Sequence, residues 1–328
     1  MNTTESQAIS PQPKLIETFR AGFNIAANHL YLLMFPLALD LWIWFGLHLS
    51  MRRVLSDWLA QLSMLAAIPS ERLDEFTRTA QEVLIERFNL MTALRSYPVG
   101  IPSLMSSRLP VQTPIGQPVG LDLLSLQAGV GWFIGLSLAG LALGTFYYQV
   151  VAQAALNGQP GWTAALRNWP HAFWQVFCLA LVWLGIILLI SVPFSCLIPV
   201  LAVGGISQFA LFIYLVVLAW LFFPLILSAH SIFVYRDKMT VSVIKSIQLT
   251  RLTMPGTTLF ILVSFLVTQG LDIIWRWPVE NSFLVFIGLA GHAFVTTGIL
   301  AASFIYFRDA DQWVQRFLRQ VFLRQQTT

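Results

Sequence analysis

One carboxylate lies in the middle of the first long apolar stretch of the chain, which covers about residues 30–50. This residue is Asp40, and an ionised carboxylate inside a membrane is costly unless it is paired or faces a polar cavity. Two interpretations stay open. Asp40 either binds a proton or an ion in a small-solute transporter, or accepts hydrogen bonds from Ser, Thr or backbone donors as part of the structure.

Ser137 and His292 are the residues whose types could support nucleophilic catalysis, and they occur in the strings GLSL and AGHAFVTTG. A serine becomes a nucleophile when an adjacent histidine accepts its proton. The two strings resemble the Gly-x-Ser and Ala-His spans of rhomboid-type intramembrane serine proteases, which implies an intramembrane serine hydrolase. Gly does not follow Ser137, however, and small residues in spans usually serve packing.

Asp272 and Arg276 lie four residues apart near the end of a later apolar stretch. On a helix this spacing brings two side chains to the same face. The sequence therefore predicts an ion pair between them.

Metal and cofactor sites have no support in the sequence. The other histidines lack a histidine or acidic partner at helical spacing; they are His29, His48, His171 and His230. The sequence also contains no phosphate-binding loop, zinc-protease motif or nucleophile elbow. We therefore expect neither a metal nor a cofactor.

The composition is that of a membrane protein. Of the 328 residues, 57% are hydrophobic and 10% are charged, whereas soluble domains carry about 25% charged residues. The mean hydropathy is +0.71, and several apolar stretches reach the ~20 residues that cross a bilayer. The net charge of +4 fits Lys and Arg on the cytoplasmic side of a membrane, so we expect no nucleic-acid partner.

The hydrophobic pattern predicts an all-α fold, a polytopic membrane helix bundle of about six transmembrane helices with amphipathic surface helices. The spans lie at about residues 30–50, 130–155, 209–235, 257–275 and 282–307, with another that starts near residue 173. That apolar stretch continues too far for one crossing, so it is either a kinked, tilted helix or a re-entrant segment at residues 193–205. We expect residues 1–328 to form one integral-membrane domain.

Residues 51–127 form the longest polar region and are expected to be an extramembrane insertion between the first two spans. Apolar residues at helical spacing predict a helix over about residues 70–94. The stretch from residue 97 to residue 120 is rich in Pro and Gly, which favours extended or turn structure over a long helix.

Amphipathic stretches precede three of the spans, at about residues 15–29, 162–169 and 236–254. A break at Pro170 is expected after the second of them. In the third, polar residues recur every three positions, with Val243, Ile244 and Ile247 on the other side; they are Ser242, Lys245, Gln248 and Arg251. This pattern is typical of a helix at a water–lipid boundary.

Basic residues in these surface helices could contact anionic lipid headgroups. The basic residues expected to make this contact lie in the third surface helix and in a separate amphipathic helix expected after the last span; they are Lys245, Arg251, Arg316 and Arg319. Small residues inside the second span instead suggest close helix packing. These are Gly131, Gly135, Gly140 and Gly144.

The distribution of basic residues predicts the orientation. Outside the long region, 11 Lys and Arg fall on the side of the two termini and 1 falls on the opposite side. Basic loops face the cytoplasm, so both termini are expected there, in a multi-pass protein of a cell inner (plasma) membrane. Arg52 and Arg53, just after the first span, depart from this pattern.

Three stretches carry a resemblance to a known group, AALNGQPGWTAALRNWPHAFWQVF, SVIKSIQLTRLTMPGTTLFILVSFLV and the closing IYFRD. The chain is similar to six-span bacterial membrane proteins of unknown function, and resembles the membrane domain attached to some glycerophosphodiester phosphodiesterases. The resemblance implies architecture. No phosphodiesterase domain accompanies it, so no catalytic residue is implied.

The leading hypothesis is a non-catalytic integral membrane protein, a membrane subunit or scaffold that associates with membrane lipids or with a protein partner in a membrane complex. The first alternative is a small-solute or proton-coupled transporter that uses Asp40. The second is an intramembrane serine hydrolase that uses Ser137 and His292.

Overall fold

The fold is all-α, as predicted. The computed structural model describes residues 13–65, 81–203 and 207–326, which are helical apart from loops and one sheet of two short strands. In chain order the elements are α1 (Leu15–Asn28), a 3₁₀ turn (Leu30–Leu33), α2 (Met34–Phe45), β1 (His48–Ser50), α3 (Arg52–Leu65), a π-helical turn (Gln81–Glu86), a 3₁₀ turn (Leu90–Leu94), α4 (Met105–Arg108), β2 (Gly120–Asp122), α5 (Leu126–Asn157), α6 (Trp162–Val203), α7 (Ser207–Phe222), a 3₁₀ turn (Phe223–Leu225), α8 (His230–Tyr235), α9 (Met239–Leu252), α10 (Met254–Trp275) and α11 (Val285–Gln326).

Five helices among the described residues are long and apolar enough to cross a membrane. They are Leu126–Asn157, Trp162–Leu197, Gln208–Tyr235, Met254–Trp275 and Val285–Leu323. A sixth crossing is counted only if α1 and the helix after it, which meet at an angle of 88°, form one broken span. The protein is therefore a membrane protein with five to six candidate spans.

The first predicted span is shorter than expected. It consists of a 4-residue 3₁₀ turn and the 12-residue α2, after which His48–Ser50 forms the strand β1. At about 1.5–2.0 Å per residue these helical turns reach roughly 26 Å, less than the ~30 Å of a bilayer core. Strand β1 pairs in parallel with β2, so residues 48–50 belong to a sheet and not to the helix.

The expected breaks at Pro170 and after residue 307 are wrong. Helix α6 runs without interruption for 42 residues through Pro170, Pro193 and Pro199, and α11 runs for another 42. In lipid, a non-helical segment would leave its backbone N–H and C=O groups without hydrogen-bond partners, whereas one proline in a helix removes a single hydrogen bond. Residues 193–203 are thus helical and not re-entrant, and no Gly or Pro follows residue 298 to end α11.

The chain divides into two compact units. Unit 1 comprises Met1–Ile25, Tyr148–Phe265 and Gly298–Thr328, and unit 2 comprises Ala26–Tyr147 and Leu266–Thr297. Helices α1, α5, α10 and α11 each contribute residues to both units.

In unit 1, helix α9 packs its small polar face inward, which corrects the expected surface helix. Ser242 and Ser246 are buried, and their hydroxyls donate to the carbonyls of Ser228 and Pro224, the latter at 2.7 Å. These carbonyls lie where Pro224 interrupts the helical chain between α7 and α8. The serines satisfy them, as neighbouring side chains do at broken membrane helices, while Ile244 is 55% exposed.

In unit 2, two of the four predicted packing glycines lie against backbone. A side chain on Gly140 would collide with the carbonyl of Leu94, and a Cβ on Gly144 would lie 2.7 Å from Cα of Gly100. A Cβ on Gly131 or Gly135 would meet nothing within 4 Å. The close contact is therefore made by Gly140 and Gly144 alone, and with an irregular segment instead of a second helix.

That segment, residues 90–108, belongs to the region expected outside the membrane. Its contacts with Gly140 and Gly144 lie near the middle of the 32-residue α5, so this part does not simply cap one end. No long helix forms in the part rich in Pro and Gly, as predicted. The predicted helix at residues 70–94 lies partly outside the described residues, and a π-helical turn and a 3₁₀ turn occupy its final part.

Candidate functional site

The candidate site lies in unit 2, around the 90–108 segment. This segment is a 3₁₀ turn, a loop and the one-turn helix α4, and it packs against α2 and α5. Irregular backbone at membrane depth is tolerated only where it is buried in protein or lines a cavity. The groups that hold it in place, and the cavities along it, are therefore the first candidates for function.

Asp40 holds the end of this segment. Its Oδ1 accepts hydrogen bonds from Ser103 Oγ at 2.6 Å and from the Met105 amide at 2.9 Å. Its Oδ2 accepts from the Leu104 amide at 3.2 Å, and the side chain is completely buried. This is the arrangement that the structural interpretation of Asp40 requires, because the carboxylate satisfies donors that no water could reach.

His292 lies in α11 and pairs with Asp272 of α10. The imidazole Nδ1–H donates to Asp272 Oδ1 at 2.8 Å, and Arg276 lies 3.6 Å from Oδ2 of the same carboxylate. The predicted i,i+4 ion pair between Asp272 and Arg276 is thereby confirmed. Nε2 of His292 is buried and bonds no atom of the described residues.

His292 lies near enough to Asp40 for the two groups to interact electrostatically, and it binds Asp272, so the three side chains form one buried acid–base cluster. We call it the buried cluster. A carboxylate on Nδ1 fixes the imidazole so that Nε2 carries the free lone pair. Such a nitrogen can accept a proton or a hydrogen bond.

The buried cluster does not include Ser137. One ring nitrogen of His292 binds Asp272 and the other has no hydrogen-bond partner among the described residues, so the two side chains form no dyad. Without that hydrogen bond the serine has no base to activate it. The geometry therefore lacks the feature that the serine hydrolase alternative needs.

An apolar cavity of about 490 Å³ lies beside the 90–108 segment. One face of α2 forms one wall of the cavity, and the 90–108 segment and α5 form the rest. The lining residues are Met34, Phe35, Ala38, Leu39, Trp42, Leu94, Ile101 and Leu143. Every one of these side chains is apolar apart from the indole nitrogen of Trp42. Met34 and Trp42 are 61% and 52% exposed, so the α2 wall is open to its surroundings.

A polar cavity of about 330 Å³ lies elsewhere in unit 2. Its lining includes side chains of both signs of charge and a histidine; they are Arg52, Arg87, Glu86, Asp122 and His48. His48 donates from Nε2 to the carbonyl of Ile43 at 2.9 Å. Burial lowers the pKa of His48 from its usual 6.5, and the Ile43 carbonyl opposes part of that shift.

Three arginines of unit 2 lie in or near the connection between α10 and α11, which contains Glu280. Arg87 binds Oε1 of Glu280 at 2.9 Å, Arg108 donates to the carbonyl of Pro278, and Arg276 donates to Ser107 Oγ at 2.8 Å. We call Arg87, Arg108 and Arg276 the arginine cluster. Sequence inspection did not bring these residues together because they come from distant parts of the chain.

The basic residues expected at the membrane surface have different environments. Lys245 is partly buried, pairs with Asp237 at 2.6 Å and lies 4.4 Å from the ring centre of Tyr235, so its charge is balanced locally. Arg251, Arg316 and Arg319 are exposed. These three remain the better candidates for contact with lipid headgroups.

The pairing of Asp272 with His292 was also missed, although the sequence holds a signal for it. Consecutive spans joined by a short tip form a hairpin, which brings residues at similar distances from the tip together. Trp275 lies against Gly288 and Gly291 in the same hairpin.

Among the described residues, no group of three or more His, Cys, Asp or Glu side chains could hold a metal ion. Comparisons with family models, with curated proteins and with solved structures give no match for this chain.

Proposed function

We propose that the protein is a non-catalytic integral membrane protein that binds membrane lipid, with one acyl chain in the apolar cavity of unit 2. The observation that carries the proposal is the cavity itself. Its volume falls within the roughly 300–1,000 Å³ of ligand sites in proteins, and its α2 wall is open at Met34 and Trp42.

The lining favours an acyl chain over a polar solute. Sites for polar ligands contain a few placed polar groups that fix orientation, whereas the side chains around this cavity offer only the indole N–H of Trp42. The chain also carries five candidate spans, so the medium around unit 2 supplies acyl chains at high local concentration.

The membrane and the orientation are part of the same proposal. If α1 and the helix after it are counted together as a sixth span, both termini lie on one side, and the excess of Lys and Arg on that side supports a plasma membrane with both termini in the cytoplasm. The three stretches quoted above support a relation to bacterial six-span proteins and to the membrane domain of some glycerophosphodiester phosphodiesterases. A protein partner in a membrane complex would fit the same non-catalytic role.

Lipid analysis of the purified protein tests the proposal. Ala38→Trp places a large side chain in the cavity, whereas Ala139→Trp places the same side chain on an exposed position of α5. We expect about one tightly held lipid per chain in the wild type and in Ala139→Trp, and little in Ala38→Trp. Equal lipid in all three, with unchanged melting temperatures, would contradict the proposal.

A second candidate function is a proton-coupled carrier, and the buried cluster favours it. Ionisable residues inside membrane segments commonly mark proton or ion pathways, and Nε2 of His292 is an unused acceptor. In proteoliposomes, Asp40→Asn and His292→Gln should each abolish the solute uptake that a pH gradient drives. Uptake that is unchanged in both variants would remove this candidate.

A further inference from the structure

Two carboxylates of the described residues, Glu280 and Asp272, bind members of the arginine cluster. Both oxygens of Glu280 are engaged, Oε1 by Arg87 and Oε2 by the Val111 amide at 3.1 Å. Asp272 is shared between His292 and Arg276. The hydrogen bonds of Arg108 go to a neutral backbone carbonyl, so its charge has no carboxylate in direct contact among the described residues.

Arg108 also carries an unsatisfied donor. Its Nη1 is buried and has no hydrogen-bond partner in the described part of the chain. Burial lowers the pKa of Arg108 from its usual value; Glu280 opposes the shift, and the charges of Arg276 and Arg87 add to it. The guanidinium groups of Arg276 and Arg87 are therefore close enough to repel that of Arg108, and an anion bound beside Arg108 would relieve that repulsion.

We propose that the arginine cluster is a binding site for a phosphoryl group. The planar guanidinium presents paired donors that match phosphate oxygens, and phosphate brings more charge and more acceptors than a carboxylate. The side chain of Arg276 is 41% exposed, which gives the anion a route from solvent. The phosphoryl group comes from a lipid headgroup or from free phosphate, and the two share this chemistry.

Binding to purified, delipidated protein in detergent tests the proposal. One arm titrates inorganic phosphate, and the other titrates mixed micelles that contain phosphatidylglycerol, with ligand-induced thermal stabilisation as the readout in both. Arg108→Gln should weaken binding by about tenfold or more, because it removes a charged donor. Arg53→Gln is the matched control, since Arg53 is 75% exposed and lies outside the cluster.

Each outcome has a defined meaning. Binding of phosphate assigns the site to the free ion, and binding of phosphatidylglycerol alone assigns it to a headgroup. Absence of binding in both arms overturns the proposal, as does equal binding by Arg108→Gln and the wild type. Arg108→Lys guards against misfolding, since it keeps the charge, loses the paired donors and should bind with intermediate strength.

This inference does not depend on the acyl-chain site. Ala38→Trp should lose the bound lipid and keep phosphate binding. If the acyl chain alone retains the lipid, Arg108→Gln should keep the bound lipid and lose phosphate binding. The failure of either proposal is therefore visible without the other.

Discussion

Asp40 Oδ1 accepts a hydrogen bond from Ser103 Oγ at 2.6 Å, across 63 residues of intervening sequence. The same carboxylate binds the amides of Leu104 and Met105. Asp40 thus connects α2 to the 90–108 segment, and the apolar cavity lies along that segment. The stability of this connection decides whether the cavity exists.

Asp40→Ala should destabilise the protein strongly. The change leaves two amides and one hydroxyl of the 90–108 segment buried without an acceptor, at about 1–3 kcal/mol for each. Thermal unfolding in detergent should show a clear fall in melting temperature. Ser103→Ala removes one of the three hydrogen bonds to Asp40, together with the bond that Ser103 Oγ accepts from the Ser106 amide at 3.0 Å, and should lower it less. Equal losses in the two variants would argue against the three-donor arrangement.

The glycines of α5 should separate into two classes. Gly140→Leu forces a side chain into the carbonyl of Leu94 and should cost about 1–3 kcal/mol of stability or more. Gly135→Leu meets open space and should leave the melting temperature nearly unchanged. A fall of similar size in both variants would mean that Gly135 is also in close contact with another part of the chain.

Ser242 and Ser246 should matter more than their position on an amphipathic helix suggests. Replacing both by Ala leaves the carbonyls of Ser228 and Pro224 without these donors, which should cost roughly 1 kcal/mol for each serine. Thr240→Ala changes an exposed residue of the same helix and should be neutral. Unfolding in detergent compares the three proteins, and neutral serine variants would contradict the inward packing of α9.

His48 should make the stability of unit 2 depend on pH. Its folded pKa is lowered, so the unfolded chain binds its proton more readily. Its contribution to the free energy of unfolding is fully present above about pH 6.5 and is lost as the pH falls toward the folded pKa. His48→Gln, whose amide can donate to the Ile43 carbonyl, should lose less stability than the wild type between about pH 7 and pH 5. A wild type and a variant with parallel pH profiles would refute this role.

The hydrophobic pattern predicted the fold class and five of the spans because the length of an apolar stretch is a local property. It placed the break at Pro170 incorrectly because a local rule about proline ignores the medium, in which an intact helix is worth more than one hydrogen bond. It ended the first span near residue 50 because nothing local shows that residues 48–50 pair with β2.

The site was predicted only in part. Asp40 was predicted as a site residue because a charged residue in an apolar stretch is conspicuous in the sequence. Its structural interpretation named Ser, Thr or backbone donors as hydrogen-bond partners, and the structure has partners of this kind. The partners of Asp40 and the members of the arginine cluster come together through contacts between distant parts of the chain. The pairing of His292 with Asp272 follows from the α10–α11 hairpin and was missed although the sequence indicates it. Gly140 and Gly144 could be separated from Gly131 and Gly135 only when the position of the 90–108 segment was known.

Photo-crosslinking with a phospholipid that carries a diazirine on its acyl chain tests the central claim most directly. The account predicts that, in proteoliposomes, cross-links mapped by mass spectrometry include Leu94 or Ile101, which lie in the 90–108 segment and line the cavity. Ala38→Trp should remove those cross-links and leave the ones on exposed residues of α6, such as Leu184 and Leu188. Cross-links on α6 alone in the wild type would show that no acyl chain enters the cavity.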